Sequence, residues 1–348
     1  MKKLRLKRRS AHKETVPTRI TNETVAEHRE RILAGGRRFK YPMQYARHRL
    51  VITTVLISIA SLILIVAVGW WQLYPVQNTN TFFYRVTRVL PLPVASVDGE
   101  AVRYSDYLMY YNGSAHWLQK SEQINLQNKD GKLQNDYIKR KSMDIAIANA
   151  YAAKLARGLH LSVSNDRVNQ VTDAARNTAT GRISQETYDA SALSTLGWAP
   201  DEYRQDTKSR LLLQDVSYAI DSVAEQKADK AASVIKQGET DFDKLATTLG
   251  GEGDGKPTVG VSGLVPLTND DGGLATAAAK LQKGQISPVI RTATGDGYYF
   301  VKLIDKNDTQ VNYSYIRIPL TAFTKRLAGL RTDGKIHEYI SIATTNQK

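Results

Sequence analysis

A long apolar stretch, Leu50 to Leu73, constrains this chain more than any other feature. It reads LVITTVLISIASLILIVAVGWWQL, contains no charged residue, and is followed by no charge until Arg85. About 20 apolar residues suffice for a helix to cross a bilayer, where the backbone must satisfy its own hydrogen bonds. Trp70 and Trp71 lie at its end, as expected for side chains that favour the headgroup region. The stretch therefore predicts a transmembrane helix.

The distribution of charge divides the chain at this helix. Residues 1–49 hold most of the excess behind the net charge of +14. Basic residues beside a membrane helix stay in the cytoplasm, so we expect a basic cytoplasmic tail over residues 1–49 and an extracytoplasmic region after Tyr74. The apolar core is too long for a cleaved signal peptide, and no small-residue cleavage site follows it. These features predict a retained signal anchor with a single membrane crossing.

The tail itself is polar and only weakly periodic. We expect disorder with one short helix over Thr24–Leu33, and a break at Gly35-Gly36. A tail this basic could bind nucleic acid or anionic lipid. We favour the simpler interpretation, in which the tail sets the orientation of the helix, is attracted to the membrane surface and has no specific nucleic-acid partner.

The composition excludes several chemistries. The chain has no cysteine, so disulfides, thiol catalysis and thiolate metal sites are excluded, and an exported chain of this kind is common in bacteria. His116, His160 and His337 are isolated and lack metal-ligand spacing. The glycine-rich segment 250–255 follows no predicted strand, as a phosphate loop would, and Ser262 lacks triad partners in its sequence context. We therefore expect neither a cofactor nor a metal.

The residues after the membrane helix predict a linker and then a folded region. Three prolines with polar residues between them indicate a linker over 74–92. VASVDGEAVRYSDYLMYY (94–111) predicts a short strand, a tight turn at Asp98-Gly99 and a helix capped by Ser105. Helical spacing, caps and a first-turn proline predict further helices over 135–158, 164–176 and 200–220.

Segments of this region resemble one family in their order along the chain. VASVDGEAVRYSDYL, then AAKLARGLHLSVSNDRV (152–168), then Gly197-Trp198 ahead of DEYRQDTKSRLLLQ are similar to successive parts of SurA-type extracytoplasmic chaperones. The resemblance covers roughly residues 94–215. It implies a helical chaperone domain, which we place at 93–222, that binds unfolded or newly exported polypeptides.

A second resemblance follows, to the parvulin peptidyl-prolyl isomerases. It rests on an alanine-rich helix leading to DFDKLA (241–246), on LATAAAKLQKGQISPVI (274–290) and on GDGYYFVKLID (295–305). It implies an α/β module with a small antiparallel sheet, which we place at 223–320. Membrane-anchored relatives of SurA-type chaperones combine these two modules, so each resemblance supports the other.

The departures from the parvulin pattern concern its chemistry. Active parvulins carry two histidines on neighbouring central strands, and Tyr299 stands at one of these positions. No first strand is evident before the module, but VNYSYIRIPL (311–320) follows the closing strand. We infer a circularly permuted module with Tyr315 at the other histidine position. Asp254 is our candidate for the family's acidic position, and Leu274 replaces the pocket aromatic; Leu274, Tyr299 and Tyr315 are the predicted substrate-binding residues.

The C-terminal residues 321–348 predict a helical region interrupted at Asp333-Gly334. The resemblance implies that this segment packs back on the helical domain. The expected fold class is therefore α+β, with one transmembrane helix, a helical chaperone domain and a parvulin-like module. Without the histidine pair, a non-catalytic binding role is favoured. An active prolyl isomerase and an envelope scaffold with a folded partner remain the alternatives, and the sequence does not give the oligomeric state.

Overall fold

The computed structural model describes residues 20–40, 42–178 and 181–343. The chain divides into two compact units, Met1–Gln72 and Leu73–Lys348. In the described residues, helices dominate, and short antiparallel strands form small sheets. The expected α+β class is confirmed.

The first unit is helical. It contains α1 (Asn22–Lys40) and most of α2 (Pro42–Leu73), within which His48–Leu73 is a candidate membrane span of 26 residues and mean hydropathy 2.8. The predicted tail helix is thus present but longer, because α1 continues through Gly35-Gly36. Glycine costs only about 1 kcal/mol relative to alanine within a helix, so the pair does not have to end it. The predicted disorder before Ile20 lies outside the described residues.

The second unit contains ten helices in its described residues. They are α3 (Thr81–Val89), α4 (Tyr104–Lys120), α5 (Lys129–Gly158), α6 (Asn165–Ala175), α7 (Gln185–Leu196), α8 (Pro200–Ile220), α9 (Ser222–Lys236), α10 (Phe242–Leu249), α11 (Leu274–Ala279) and α12 (Ala322–Thr332).

Ten strands accompany them in the same described part of the unit. They are β1 (Pro93–Val97), β2 (Glu100–Arg103), β3 (Asn177–Thr178), β4 (Gly181–Arg182), β5 (Thr258–Val261), β6 (Val265–Pro266), β7 (Ile290–Arg291), β8 (Gly297–Lys306), β9 (Gln310–Pro319) and β10 (Ile336–Glu338).

Local caps explain where several helices begin. Helix α8 starts with Pro200, and the Glu202 carboxylate accepts a hydrogen bond from the backbone N–H of Ala199 at 2.7 Å. Helix α6 begins after Ser164, whose side chain accepts from the backbone N–H of Arg167. The predicted cap Ser105 is wrong, because α4 already begins at Tyr104.

The segment expected to be a linker contains helix α3. Asn80 caps this helix by accepting a hydrogen bond from the backbone N–H of Phe82 at 3.0 Å. Tyr84 and Thr87 are buried, and the Tyr84 hydroxyl donates to the carboxylate of Glu202. The flanking prolines bracket this helix instead of breaking it, because none of them lies inside it.

The C-terminal segment returns to the helical domain, partly as a strand. Helix α12 packs Phe323 and Leu327 against the helical core. The region after Asp333 was expected to be helical, but β10 instead pairs antiparallel with β1, in a sheet of order β10-β1-β2. Arg140 fixes this return through an ion pair with Glu338 at 2.7 Å. A strand of three residues is too short to show its period in the sequence.

The larger sheet organises the region after α8. Its order is β5-β9-β8-β7, with β6 also paired to β9, and β8 and β9 form the long antiparallel hairpin expected around KNDT. One face of the sheet packs on α9 and α10, and the other packs on α11. No strand of this sheet precedes α9 in the described chain, so β9 takes the central place beside β8 that the permuted arrangement requires.

Candidate functional site

The structure brings three of the predicted site residues together on the α11 face of the sheet. Tyr299 on β8 and Tyr315 on β9 have ring centroids 5.9 Å apart. The strand register explains this, because Tyr299 lies opposite Arg317, and Tyr315 lies two residues away on the same face. Leu274, the first residue of α11, belongs to the same apolar cluster.

Burial shows that these side chains form a core more than an open pocket. Leu274 is 5 % exposed and Tyr299 is 7 % exposed. Tyr315 is half-buried and lies over Gly260 of β5, where an added Cβ would come within 2.5 Å of the tyrosine hydroxyl oxygen. Glycine at position 260 is therefore what makes room for the Tyr315 ring.

The Tyr299 hydroxyl is engaged by a carboxylate. It donates to Asp296 Oδ2 at 2.6 Å, and the same carboxylate accepts from the hydroxyls of Thr292 and Thr294 and pairs with Arg317 at 3.0 Å. Burial raises the pKa of Asp296, but these hydrogen bonds and the guanidinium outweigh it and hold the pKa below its ordinary value. Burial and the bond to Asp296 raise the pKa of the Tyr299 hydroxyl.

A third tyrosine, which the sequence analysis did not select, has a parallel arrangement. Tyr313, two residues before Tyr315 on the same face, donates its hydroxyl to Asp271 Oδ2 at 2.6 Å. Asp271 also accepts a hydrogen bond from the backbone N–H of Ala275 in the first turn of α11, and from the side-chain amide of Asn269. Burial, followed by this carboxylate, raises the pKa of Tyr313. The Asp270-Asp271 pair, interpreted from sequence as a turn, thus also ties β9 to α11.

Asp254 is not part of the tyrosine cluster. It is exposed, in the short 3-10 turn Gly253–Gly255 that precedes β5, and takes part in none of the hydrogen bonds of the tyrosine cluster. The structure therefore does not bring this candidate acid to Tyr299 and Tyr315.

The chemical capacity of the cluster follows from these bonds. Two of the three tyrosine hydroxyls donate to aspartates and have raised pKa values, so they are poor proton donors for a substrate at neutral pH. The sequence has no histidine between His160 and His337. In the described part of the chain, no group of three or more His, Cys, Asp or Glu side chains is placed to hold a metal. The arrangement joins β8 and β9 to the segments beside them through the two aspartates.

A separate cleft lies in the helical domain and has a volume of about 520 Å³. Helices α3, α4 and α7, together with the start of α8, line it. The apolar and aromatic lining residues are Tyr84, Met109, Tyr111, Ala115, Leu126, Leu193, Leu196, Trp198 and Ala199. Leu193 is 55 % exposed, so its side chain is available at this surface.

Trp198 is held rigidly in the wall of this cleft. Its indole N–H donates to the backbone carbonyl of Met109 at 3.1 Å, and its ring packs edge-on against Tyr110 at a centroid distance of 6.0 Å. Gly113 on α4 permits this approach, because an added Cβ there would lie 2.5 Å from the indole nitrogen. Gly197, in the left-handed conformation at φ 67°, ends α7 and turns the chain towards Trp198.

The remaining lining of the cleft is polar and charged. Arg85 and Arg88 of α3 line it, and Arg88 pairs with Asp201 at 2.5 Å. Burial, together with the bond to Glu202, raises the pKa of Tyr84, so this hydroxyl stays protonated. The cleft therefore offers apolar contact area beside a few fixed polar groups, which is the usual character of a ligand-binding cleft.

Comparison with known proteins assigns both regions to families. A family model described as the SurA-like N-terminal domain matches residues 43–217, about half of the chain. A second model, described as the PPIC-type peptidyl-prolyl isomerase domain, matches residues 199–314. The first match covers the cleft and the second covers Tyr299 and Tyr313. No curated protein matches the chain.

Proposed function

Because the chain belongs to the SurA-like family and carries a PPIC-type domain after the SurA-like one, we propose that it is a membrane-anchored extracytoplasmic chaperone that binds unfolded or newly exported polypeptides. The domain boundaries in this proposal are a helical chaperone domain at 93–222, a parvulin-like module at 223–320 and a returning C-terminal segment from 321.

The observation that carries the proposal is the cleft lined by Leu193 and Trp198. It lies within the match to the SurA-like domain, and it combines exposed apolar area with a wall that is already ordered. A preformed apolar surface binds an unfolded chain at a smaller entropic cost than a surface that must first be ordered. Binding would use side-chain contacts that do not depend on client sequence, as a general holdase requires.

The membrane anchor is the second part of the proposal. The span His48–Leu73 has suitable length and hydropathy, and most of the basic excess lies before it. Basic residues are retained on the cytoplasmic side, which would place residues 75–348 outside. Protease added to intact spheroplasts should remove the C-terminal region, and its protection would reverse this orientation.

A charge placed in the cleft tests the chaperone role. The full-length protein in detergent micelles should suppress light scattering when a chemically denatured protein is diluted into buffer. Leu193→Glu should weaken this suppression, because a carboxylate must be desolvated when an apolar client segment binds there. The matched control is Leu133→Glu, since Leu133 is 59 % exposed on α5 and is absent from the lining of the cleft.

The outcomes separate the candidate functions. Loss with Leu193→Glu but not with Leu133→Glu supports the cleft as the client site. If Leu193→Glu suppresses aggregation as well as Leu133→Glu does, the cleft is not the client site. If the wild-type protein binds no unfolded chain but retains one folded envelope protein, the scaffold alternative replaces the chaperone.

An active prolyl isomerase remains a second candidate because residues 199–314 match the isomerase domain. We favour a non-catalytic module, since the hydroxyls of Tyr299 and Tyr313 donate to carboxylates and the segment between His160 and His337 has no histidine. A proline-limited refolding assay with the full chain decides, because uncatalysed isomerisation takes tens of seconds and is easily followed. Acceleration at low enzyme concentration would establish the isomerase.

A further inference from the structure

The apolar face of helix α1 is exposed with respect to the residues that the structure describes. Val25 and Ile32 are seven positions apart and thus share one side of the helix, and Leu33 lies beside them. Their side chains are 53, 70 and 55 % exposed. Together with Ile20, which is 86 % exposed just before the helix, they form an apolar stripe at the surface. We call these four residues the α1 stripe.

Arg29 and the three glutamates of α1 lie on different sides of the helix relative to this stripe. With about 3.6 residues per turn, Arg29 projects next to Val25 and Ile32, whereas Glu23, Glu27 and Glu30 project from the opposite side of the helix. His28 lies on the other flank of the stripe. A surface that approaches the stripe would therefore meet apolar groups and a guanidinium first, and would leave the three carboxylates in water.

The position of α1 in the chain limits which partner the α1 stripe can bind. Lys40 ends α1 eight positions before His48, where the candidate membrane span begins. Residues 20–49 carry seven Arg or Lys against three Glu. A helix tethered this closely to a bilayer, with a basic flank on its apolar stripe, matches an interface of acyl chains and anionic headgroups in both polarity and charge.

We infer that α1 lies along the membrane surface, with the α1 stripe in the headgroup and acyl boundary and Arg29 on anionic lipid headgroups. The inference rests on the proposed membrane anchor. It adds a second membrane contact, which α1 makes from within the basic tail and which is separate from the spanning helix. Folded RNA or a second copy of this chain would recognise the helix differently, since neither requires the stripe to enter hydrocarbon.

The absence of cysteine makes a clean test possible. Single-cysteine variants Val25→Cys and Ile32→Cys of the full chain would carry an environment-sensitive fluorophore on the stripe, and Glu27→Cys would carry it on the opposite side as the matched control. Each protein is reconstituted in vesicles of phosphatidylcholine, with and without phosphatidylglycerol, and the lipids are brominated in parallel samples. Flotation of the vesicles reports the membrane anchor independently of α1.

The expected result is quenching by brominated lipid at positions 25 and 32, little at position 27, and stronger quenching when phosphatidylglycerol is present. Arg29→Glu should reduce the difference between the two lipid compositions. Flotation without any difference between positions 25 and 27 overturns the inference and leaves the anchor intact. Failure to float overturns the anchor. Fluorescence that responds to added RNA or to protein density, but not to bromine, assigns the stripe to those partners instead.

Discussion

The two faces of the larger sheet differ in how they are stabilised. The face against α9 and α10 is an apolar core in which Phe242, Leu245 and Phe300 are at most 5 % exposed. The face against α11 mixes aliphatic residues with tyrosines, and Tyr299 and Tyr313 extend their hydroxyls to Asp296 and Asp271. Both faces are packed. On the second face two tyrosine hydroxyls donate to carboxylates, whereas on the first face Tyr218 donates to the backbone carbonyl of Gly297.

This difference between the two faces can be compared with the pattern of the parvulin family. The apolar face corresponds to the scaffold positions of the family resemblance, and these residues form a regular core. On the opposite face, where the family has its histidines, each tyrosine–aspartate pair is a closed hydrogen bond inside the protein. Such bonds contribute stability, and they already use the hydrogen-bond donor of each hydroxyl. Four predictions test this division between an apolar face and a hydrogen-bonded face.

The largest expected effect comes from truncating the apolar face. Phe242→Ala should destabilise the module by about 3–5 kcal/mol, because removing a buried aromatic leaves a cavity that the sheet cannot fill. Hydrogen exchange of the β8 and β9 amides in the full-length protein measures this loss. Exchange as slow as in the wild type would show that the apolar face is not the main support of the sheet.

Breaking the Asp271 pair should have the next largest effect. Asp271→Ala leaves the Tyr313 hydroxyl and the Ala275 N–H without their acceptor, which should cost about 1–3 kcal/mol. Tyr313→Phe removes the donor instead, leaves the other bonds of Asp271 in place and should cost less. The same exchange measurement compares the two variants. Equal costs would contradict the role of Asp271 as the shared partner of β9 and α11.

The Asp296 pair predicts a dependence of stability on pH. The pKa of Asp296 is lowered in the folded protein, so its contribution is present above its ordinary value near 3.8 and is lost as the pH falls through the folded pKa. In urea titrations, the stability difference between the wild type and Asp296→Asn should therefore shrink as the pH falls below about 4. A difference that stays constant down to about pH 2 would contradict the pairing.

The smallest effect is expected for Tyr299→Phe. The variant loses one hydroxyl, while Asp296 keeps Thr292, Thr294 and Arg317, so the cost should be about 1 kcal/mol or less. Suppression of aggregation should be unchanged. If instead the wild type accelerates proline-limited refolding and Tyr299→Phe abolishes this, the hydroxyl is catalytic and the hydrogen-bonded face is an active site.

Local signals in the sequence determined much of this fold. Pro200 with acids in the first turn predicts α8 with the bounds that the structure has, Pro200–Ile220. The alternation in 311–320 and the KNDT turn predict the β8–β9 hairpin, and this pairing places Tyr299 beside Tyr315. Periodicity and turn residues act over a few positions, so one sequence suffices to interpret them.

The features that were missed depend on contacts between distant parts of the chain. Strand β10 exists because β1 offers it an edge, with Ser96 opposite His337. The partner of Tyr313 is 42 positions away at Asp271, and no local pattern marks the pair. Helix α3 is stabilised by its buried Tyr84 and by the bond to Glu202, which a short polar segment between prolines does not reveal. Tertiary contacts decided each of these cases.

The pairing of β10 with β1 also implies an order of assembly during synthesis. Strand β1 is made early, but its outer edge stays open until Ile336–Glu338 has been made more than 200 residues later. The strand pairing between β8 and β9 forms before then, since it joins neighbouring segments of the chain. An exposed strand edge is a site of misassociation for as long as it stays unpaired. The domain that comes first in the sequence is therefore the one that is finished last.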